Sequence, residues 1–289
     1  MKGIILAGGS GTRLHPATLV VTKQLLPVYD KPMIYYPLVT LMLADIRDIL
    51  IITKPEDLEK FRSLLGDGSQ WGIRLQYAVQ SQPRGIAEAF LIGREFIGND
   101  SCALILGDNI FFGLGLRDLL MRAASVKTGA FVFAHWVADP ERYGVLDMGA
   151  DRKVKAILEK PNPAPSNWAV TGLYFYGPGV ADVAAGIKPS PRGELEVTDV
   201  NSAYLARNEL QVQVLGRGFA WLDAGTPESL LDASNFIATV EKRQGLKISV
   251  PEEIAWRLGF IDAAQVAKIA AGYGSGPYGK YLEWILAMG

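Results

Sequence analysis

The sequence holds only two histidines and one cysteine, and it has no surplus of either charge: Lys and Arg total 29 against 30 Asp and Glu over 289 residues. Each scarcity removes a class of function. With His15 and His135 alone, a zinc cluster or a Ser-His-Asp relay has almost nothing to work with. A single cysteine rules out an internal disulfide. Cys102 stands in the apolar run Cys102-Ala103-Leu104-Ile105-Leu106 with no histidine near it, so it reads as a core thiol and not a nucleophile. Balanced charge provides no field to hold a nucleic acid backbone, so any anionic ligand must be gripped locally. The longest apolar stretch, Met33 to Ala44, is too short to cross a bilayer, and a first strand starting at Lys2 or Gly3 leaves no room for a signal peptide. The expectation is a cytoplasmic protein with no membrane or nucleic acid partner.

What is present is an alternation. Short, continuously apolar blocks at Gly3–Ala7, Ile49–Thr53, Leu75–Val79 and Ala103–Leu106 read as strands of a sheet covered on both faces. Helical patterns at Pro32–Ala44, Pro55–Leu65 and Gly85–Ile97 lie between them, which predicts an α/β fold with a parallel, Rossmann-like sheet. After about Thr128 strands dominate, at Phe131–Val137, Val154–Leu158, Ala169–Tyr176 and Leu210–Leu215, and they predict a mixed extension of that sheet. A long helix over Pro227–Arg243 and two or three more between Pro251 and Met288 follow. We expect an α/β domain over residues 1–244 and a helical appendage over 245–289.

The first strand runs into Leu6-Ala7-Gly8-Gly9-Ser10-Gly11-Thr12-Arg13-Leu14, a glycine-rich turn at the end of the sheet where open α/β folds bind ligands. Glycines there let backbone N–H groups approach phosphates. Gly11 is followed by Thr12-Arg13 and not by the Lys-Ser/Thr of a Walker loop. A dinucleotide fingerprint would need glycine at Leu14 and an acid where Thr53-Lys54 stand, which argues against an NAD-dependent oxidoreductase. Arg13 and Lys23 instead place two cations beyond the turn, which suits a triphosphate whose pyrophosphate end must leave. Asp108 ends an apolar strand and Asp223 follows Trp221-Leu222. On residues alone each is as readily a helix cap as a metal ligand.

The turn, together with Thr22-Lys23-Gln24-Leu25-Leu26-Pro27-Val28-Tyr29-Asp30-Lys31-Pro32-Met33, resembles the sugar-nucleotide pyrophosphorylases, most of all their glucose-1-phosphate thymidylyltransferase branch. The likeness continues in order through Val79-Gln80, Gly107-Asp108-Asn109, Tyr143-Gly144-Val145, Leu158-Glu159-Lys160-Pro161, Val170-Thr171-Gly172, Arg192-Gly193-Glu194-Leu195-Glu196 and Trp221-Leu222-Asp223. It therefore spans nearly the whole chain.

The resemblance implies dTTP and glucose 1-phosphate as substrates, dTDP-glucose and pyrophosphate as products, and a step in the biosynthesis of dTDP-deoxysugars such as dTDP-L-rhamnose. It implies Mg²⁺ on Asp108 and Asp223, with Arg13, Lys23 and Lys160 completing the catalytic set. Leu6, Gly8, Gly9, Ser10, Gly11, Thr12, Arg13, Gln24, Gln80, Pro83, Gly85 and Asp108 would hold the nucleotide. Asn109, Tyr143, Gly144, Glu159, Lys160, Val170, Thr171, Arg192 and Trp221 would hold the sugar phosphate. Arg217, Glu253 and Arg257 fall where some similar proteins have a second, regulatory nucleotide site between subunits of a homotetramer; as residues they are also ordinary helix-surface charges. The base loop departs from the related pattern Val-Gln-Pro-Ser-Pro-Asp-Gly, reading Val79-Gln80-Ser81-Gln82-Pro83-Arg84-Gly85. A uridylyltransferase or another sugar-1-phosphate nucleotidylyltransferase, and an inactive nucleotide-sugar sensor, are the alternative readings.

Overall fold

The computed structural model describes residues 1–149, 151 and 153–289. Its first half is the alternation expected: β1 (Lys2–Ala7), a two-residue hairpin of β2 (Pro27–Val28) and β3 (Lys31–Pro32), α1 (Tyr35–Leu43), β4 (Asp48–Thr53), α2 (Leu58–Leu65), β5 (Arg74–Val79), α3 (Glu88–Ile92), α4 (Arg94–Ile97) and β6 (Cys102–Leu106). β1 pairs in parallel with β4 and β6, and β4 with β5. Alternate side chains of these strands feed opposite layers. Ile5 and Ile51 pack with α1 on one face, and Ile4 and Ile52 with Phe90 of α3 on the other. Cys102 is wholly buried in the second layer.

Two helices depart from the periodicity. The one expected from Pro32 starts at Tyr35, because Lys31 and Pro32 are used by the hairpin around Tyr29. The one expected over Gly85–Ile97 splits at Gly93 and starts late, because Gly85 has φ +105, which no helix accommodates.

The second half adds β7 (Asn109–Gly113), α5 (Leu116–Ala124), β8 (Ala130–Trp136), β9 (Gly144–Met148), β10 (Val154–Glu159), β11 (Trp168–Tyr176), α6 (Val180–Gly186), α7 (Val197–Ala206), β12 (Leu210–Leu215), β13 (Phe219–Asp223) and α8 (Pro227–Gln244). β11 runs antiparallel to β6 and carries the sheet on to β8 and β9, so the extension is mixed, as the sequence predicts. β7 and β13 form their own antiparallel pair, which sets Asn109 opposite Asp223. α8 starts at once after that pair, fixed by Pro227 in its first turn and a reciprocal cap between Thr226 and Ser229.

Three helices follow, α9 (Pro251–Arg257), α10 (Ala263–Gly272) and α11 (Pro277–Met288). α9 lies on α1, and its Glu252 is fully buried while accepting hydrogen bonds from Trp71 Nε1, Tyr273 OH and Tyr278 OH. No helix among the described residues is long and apolar enough to cross a membrane.

Burial raises the pKa of Glu252 above its ordinary 4.5, although its three donors pull the other way. Between 4.5 and that raised value the folded chain holds a proton that the unfolded chain has released, so stability falls as pH rises through the interval. Glu252→Gln is expected to flatten that slope in urea unfolding measured from pH 4 to 8. An unchanged slope would contradict the burial effect.

Candidate active site

Three strand ends converge on one cleft. The end of β1 opens into the glycine turn, Asp108 lies between β6 and β7, and Asp223 closes β13. The cleft has two adjoining lobes. The larger, of about 460 Å³, is lined by Tyr143, Gly144, Glu159, Lys160, Val170, Asn109, Trp221 and Asp223, with Arg142, Tyr174, Thr198 and Asn201. The smaller, of about 330 Å³, is lined by Leu6, Gly9, Ser10, Gly11, Thr12, Lys23, Gln24 and Pro83, with Glu194 and Gly225. Arg13, Ile86, Leu106 and Asp108 line both. One cation and one carboxylate therefore stand where ligands in the two lobes would meet.

Asp108 is ion-paired with Lys23 and accepts a hydrogen bond from Asn109 Nδ2 at 3.0 Å. Burial works against its charge, but Lys23, with hydrogen bonds from Asn109 and the backbone, outweighs burial and holds the carboxyl below its ordinary range. Asp223 goes the other way: burial first, and the negative charge of Asp108 second, raise it, while Lys23, Arg142 and Arg13 oppose. Arg142 Nη2 donates to Asp223 at 3.3 Å. The carboxylates thus repel each other and are held by surrounding cations.

Asn109 ties the junction together. Its Oδ1 accepts from Gly172 N–H at 3.1 Å and from Trp221 Nε1 at 2.7 Å, so the indole is fixed at the wall of the larger lobe, where Tyr143 packs on it at 5.0 Å between ring centroids. Opposite, Glu159 accepts from Thr198 Oγ1 at 2.6 Å and from Arg192 at 3.2 Å. Lys160 follows with φ +44, a left-handed backbone that side chains other than glycine rarely adopt and that clusters at functional positions. Its N–H is held by the Tyr143 carbonyl at 2.9 Å.

Some expected residues stand back from the cleft. Gly8, Gln80 and Gly85 are not among the residues lining either lobe, although Gln80 Oε1 lies directly against the glycine turn that lines the smaller one, and Arg192 meets the lining of the larger lobe at Glu159. Thr171 is wholly buried and is not among the lining residues, because strand alternation turns Val170 and Thr171 to opposite faces. Away from the cleft, Glu253 is engaged by Arg257 at 2.7 Å and by Tyr281, while Arg217 sits in the turn between β12 and β13.

The family profile described as Nucleotidyl transferase matches residues 2–240. A glucose-1-phosphate thymidylyltransferase of Xanthomonas campestris pv. campestris (strain B100) is 59% identical over 288 residues, covering 100% of this chain and 98% of that one. One of Mycolicibacterium smegmatis is 58% identical over 99% of both. The chain belongs to the nucleotidyl transferase family, in its glucose-1-phosphate thymidylyltransferase branch. Solved structures agree. A Bacillus anthracis protein assigned to that activity, in complex with sucrose, has a TM-score of 0.76 at 44% identity and covers 82% of this chain and 94% of its own. A UDP-glucose pyrophosphorylase complexed with UDP-glucose has a TM-score of 0.71 at 28% identity, over 84% of this chain and 99% of its own.

The residues missed in this transferase's sequence are those whose partners are remote. Arg142 joins Asp223 from 81 positions away, and Thr198 joins Glu159 from 39. Only the place of Arg142 directly before Tyr143-Gly144 could have signalled it.

A Cβ at Gly172 would lie 2.4 Å from Asn109 Oδ1 and 2.7 Å from Leu106 Cδ1. Gly172→Ala is therefore expected to dislodge Asn109 and lower stability by about 1–3 kcal/mol in urea unfolding. An unchanged midpoint would mean that the junction yields freely.

Proposed function

We propose that the chain transfers a thymidylyl group from dTTP to α-D-glucose 1-phosphate, giving dTDP-glucose and pyrophosphate. The observation that carries this reading is the sharing of Arg13 and Asp108 between the two lobes, which provides a single meeting point for two anionic ligands. The activity named for relatives at 59% and 58% identity over nearly full length supports the substrate pair.

In this reading the glycine turn cradles the triphosphate, and Lys160 takes the phosphate of glucose 1-phosphate while Glu159 accepts from sugar hydroxyls. A sugar-phosphate oxygen attacks the α-phosphorus. The new P–O bond forms as the bond to the β-phosphate breaks, and pyrophosphate leaves with the electron pair. The nucleophile is already an anion, so no base is needed, which fits a chain with two histidines. Arg13 and Lys23 stabilise charge on the α-phosphate and the leaving group, and Tyr143 and Trp221 wall the sugar.

Asp108 and Asp223 suit a divalent cation. They are hard oxygen donors; burial and then repulsion from Asp108 raise the Asp223 pKa, and Lys23 offsets the charge of Asp108. No group of three or more ligating side chains exists among the described residues, so phosphate and water oxygens would complete the shell, as Mg²⁺ prefers. Bound Mg²⁺ would supply charge neutralisation at the phosphates. A homotetramer in the cytoplasm is part of the same reading.

A uridylyltransferase would use the same machinery, so the base must be tested directly. Pyrophosphate release with Mg²⁺ and glucose 1-phosphate is expected to be strongest with dTTP among dTTP, UTP, CTP and ATP. Silence with all four would contradict the reaction, and a stronger signal with another nucleotide would contradict the substrate. Asp108→Ala and Asp223→Ala are each expected to cut kcat by about 10²-fold or more with far-UV circular dichroism unchanged. Rates near those of the parent chain would remove both from the machinery.

A further inference from the structure

Glu88, at the start of α3, is buried and takes no part in the chemistry above. Its two oxygens are divided. Oε2 accepts from Gln80 Nε2 at 2.8 Å, and Oε1 accepts from Arg84, at 2.8 Å from Nε and 2.7 Å from Nη2. Gln80 Nε2 also faces the Gly85 carbonyl at 3.3 Å. A carboxylate and a carbonyl can only accept, so the end of the Gln80 amide that meets both must be its NH₂ end. Turned over, the amide would press its oxygen against a carboxylate and leave buried acceptors unpaired, at the cost of unmade hydrogen bonds.

Both amide hydrogens are thereby committed, and Oε1 is directed to the opposite side. It lies against the glycine turn, where a Cβ on Gly8 would be 2.6 Å away. Among the described residues no side-chain hydrogen bond reaches Oε1, and it is not one of the sealed, unpartnered atoms. The free valence of Gln80 is an acceptor only. An acceptor pairs with the imide N3–H of thymine or uracil; it meets a lone pair on N3 of cytosine or N1 of adenine.

We propose that Glu88, held in place by Arg84, is the positioning residue that fixes the Gln80 amide as an acceptor and so selects imide-bearing nucleotides. The departure at Arg84 then does not redirect base choice: the guanidinium is spent on Glu88. This rests on the nucleotidylyltransferase reading, but nucleotide binding can be measured without turnover, so the two fail separately.

Calorimetric Kd values for dTTP and CTP would be compared in the parent chain, Glu88→Leu, Glu88→Gln and Arg84→Met. Glu88→Leu removes the acceptor and frees the amide to rotate; the preference for dTTP over CTP is expected to shrink by about tenfold or more. Glu88→Gln still offers Gln80 an oxygen and is expected to keep the preference within about threefold. Arg84→Met, on an exposed side chain, is expected to weaken the preference in the same direction by a smaller factor and provides the reading if Glu88→Leu does not fold. KM for glucose 1-phosphate should stay within about twofold throughout, which a merely structural role would not allow. A preference unchanged in both Glu88→Leu and Arg84→Met, an equal loss for both nucleotides, or a parent chain that binds CTP as well as dTTP would overturn the proposal. Absent pyrophosphate release alongside the expected Kd pattern would count against the reaction and not against Glu88.

Discussion

Asp108 and Asp223 repel each other, and much of the cleft is arranged around holding them side by side. The β7–β13 pairing sets them on neighbouring strand ends; Asn109 is hydrogen-bonded to Asp108, Gly172 and Trp221; Lys23 and Arg142 supply compensating charge. Two carboxylates forced together in a buried site are costly unless cations answer them. Here the answer is divided between Lys23 and Arg142, from two separate parts of the chain. That division places a positive charge on each side of the meeting point without filling it.

The same organisation couples the ends of the cleft. The backbone of Arg84 and Ala87 pairs with Leu195 at 2.8 and 3.0 Å, which ties the loop of residues 80–87 to the segment of Arg192 and Glu196 beside Glu159. Gly85 allows this approach, since a Cβ there would sit 2.3 Å from the Leu195 carbonyl oxygen. The walls of the two lobes therefore share one strap of backbone.

Much of this was legible in the sequence, for definite reasons. β1, β4 and β6 are buried on both faces, so their apolar runs are uninterrupted, and their ends, like those of the partly exposed edge strand β5, fall within one or two residues of the expected positions. The long helix was visible because Thr226-Pro227 punctuates its start. β9 and β13 were missed because they are short and only half-buried, with neither a continuous run nor a clean alternation, and β7 because its apolar run Ile110-Phe111-Phe112 is only three residues long. In the cleft, residues carried by a contiguous block, such as the glycine turn or Glu159-Lys160, were found. Arg142 and Thr198 were not, because their significance lies in what they touch across the fold. Gln80 shows the same limit: its amide chemistry was apparent, but which end it presents is decided by Glu88.

As proposed above, the two aspartates would form the seat of a divalent cation shared with the nucleotide. Mn²⁺ titrated into the protein with dTTP, followed by the enhancement of water proton relaxation, tests it most directly. Tight Mn²⁺ binding in the ternary complex, lost in Asp223→Asn with dTTP still bound, is the expected result. Equal Mn²⁺ affinity in the parent chain and in Asp223→Asn would contradict it.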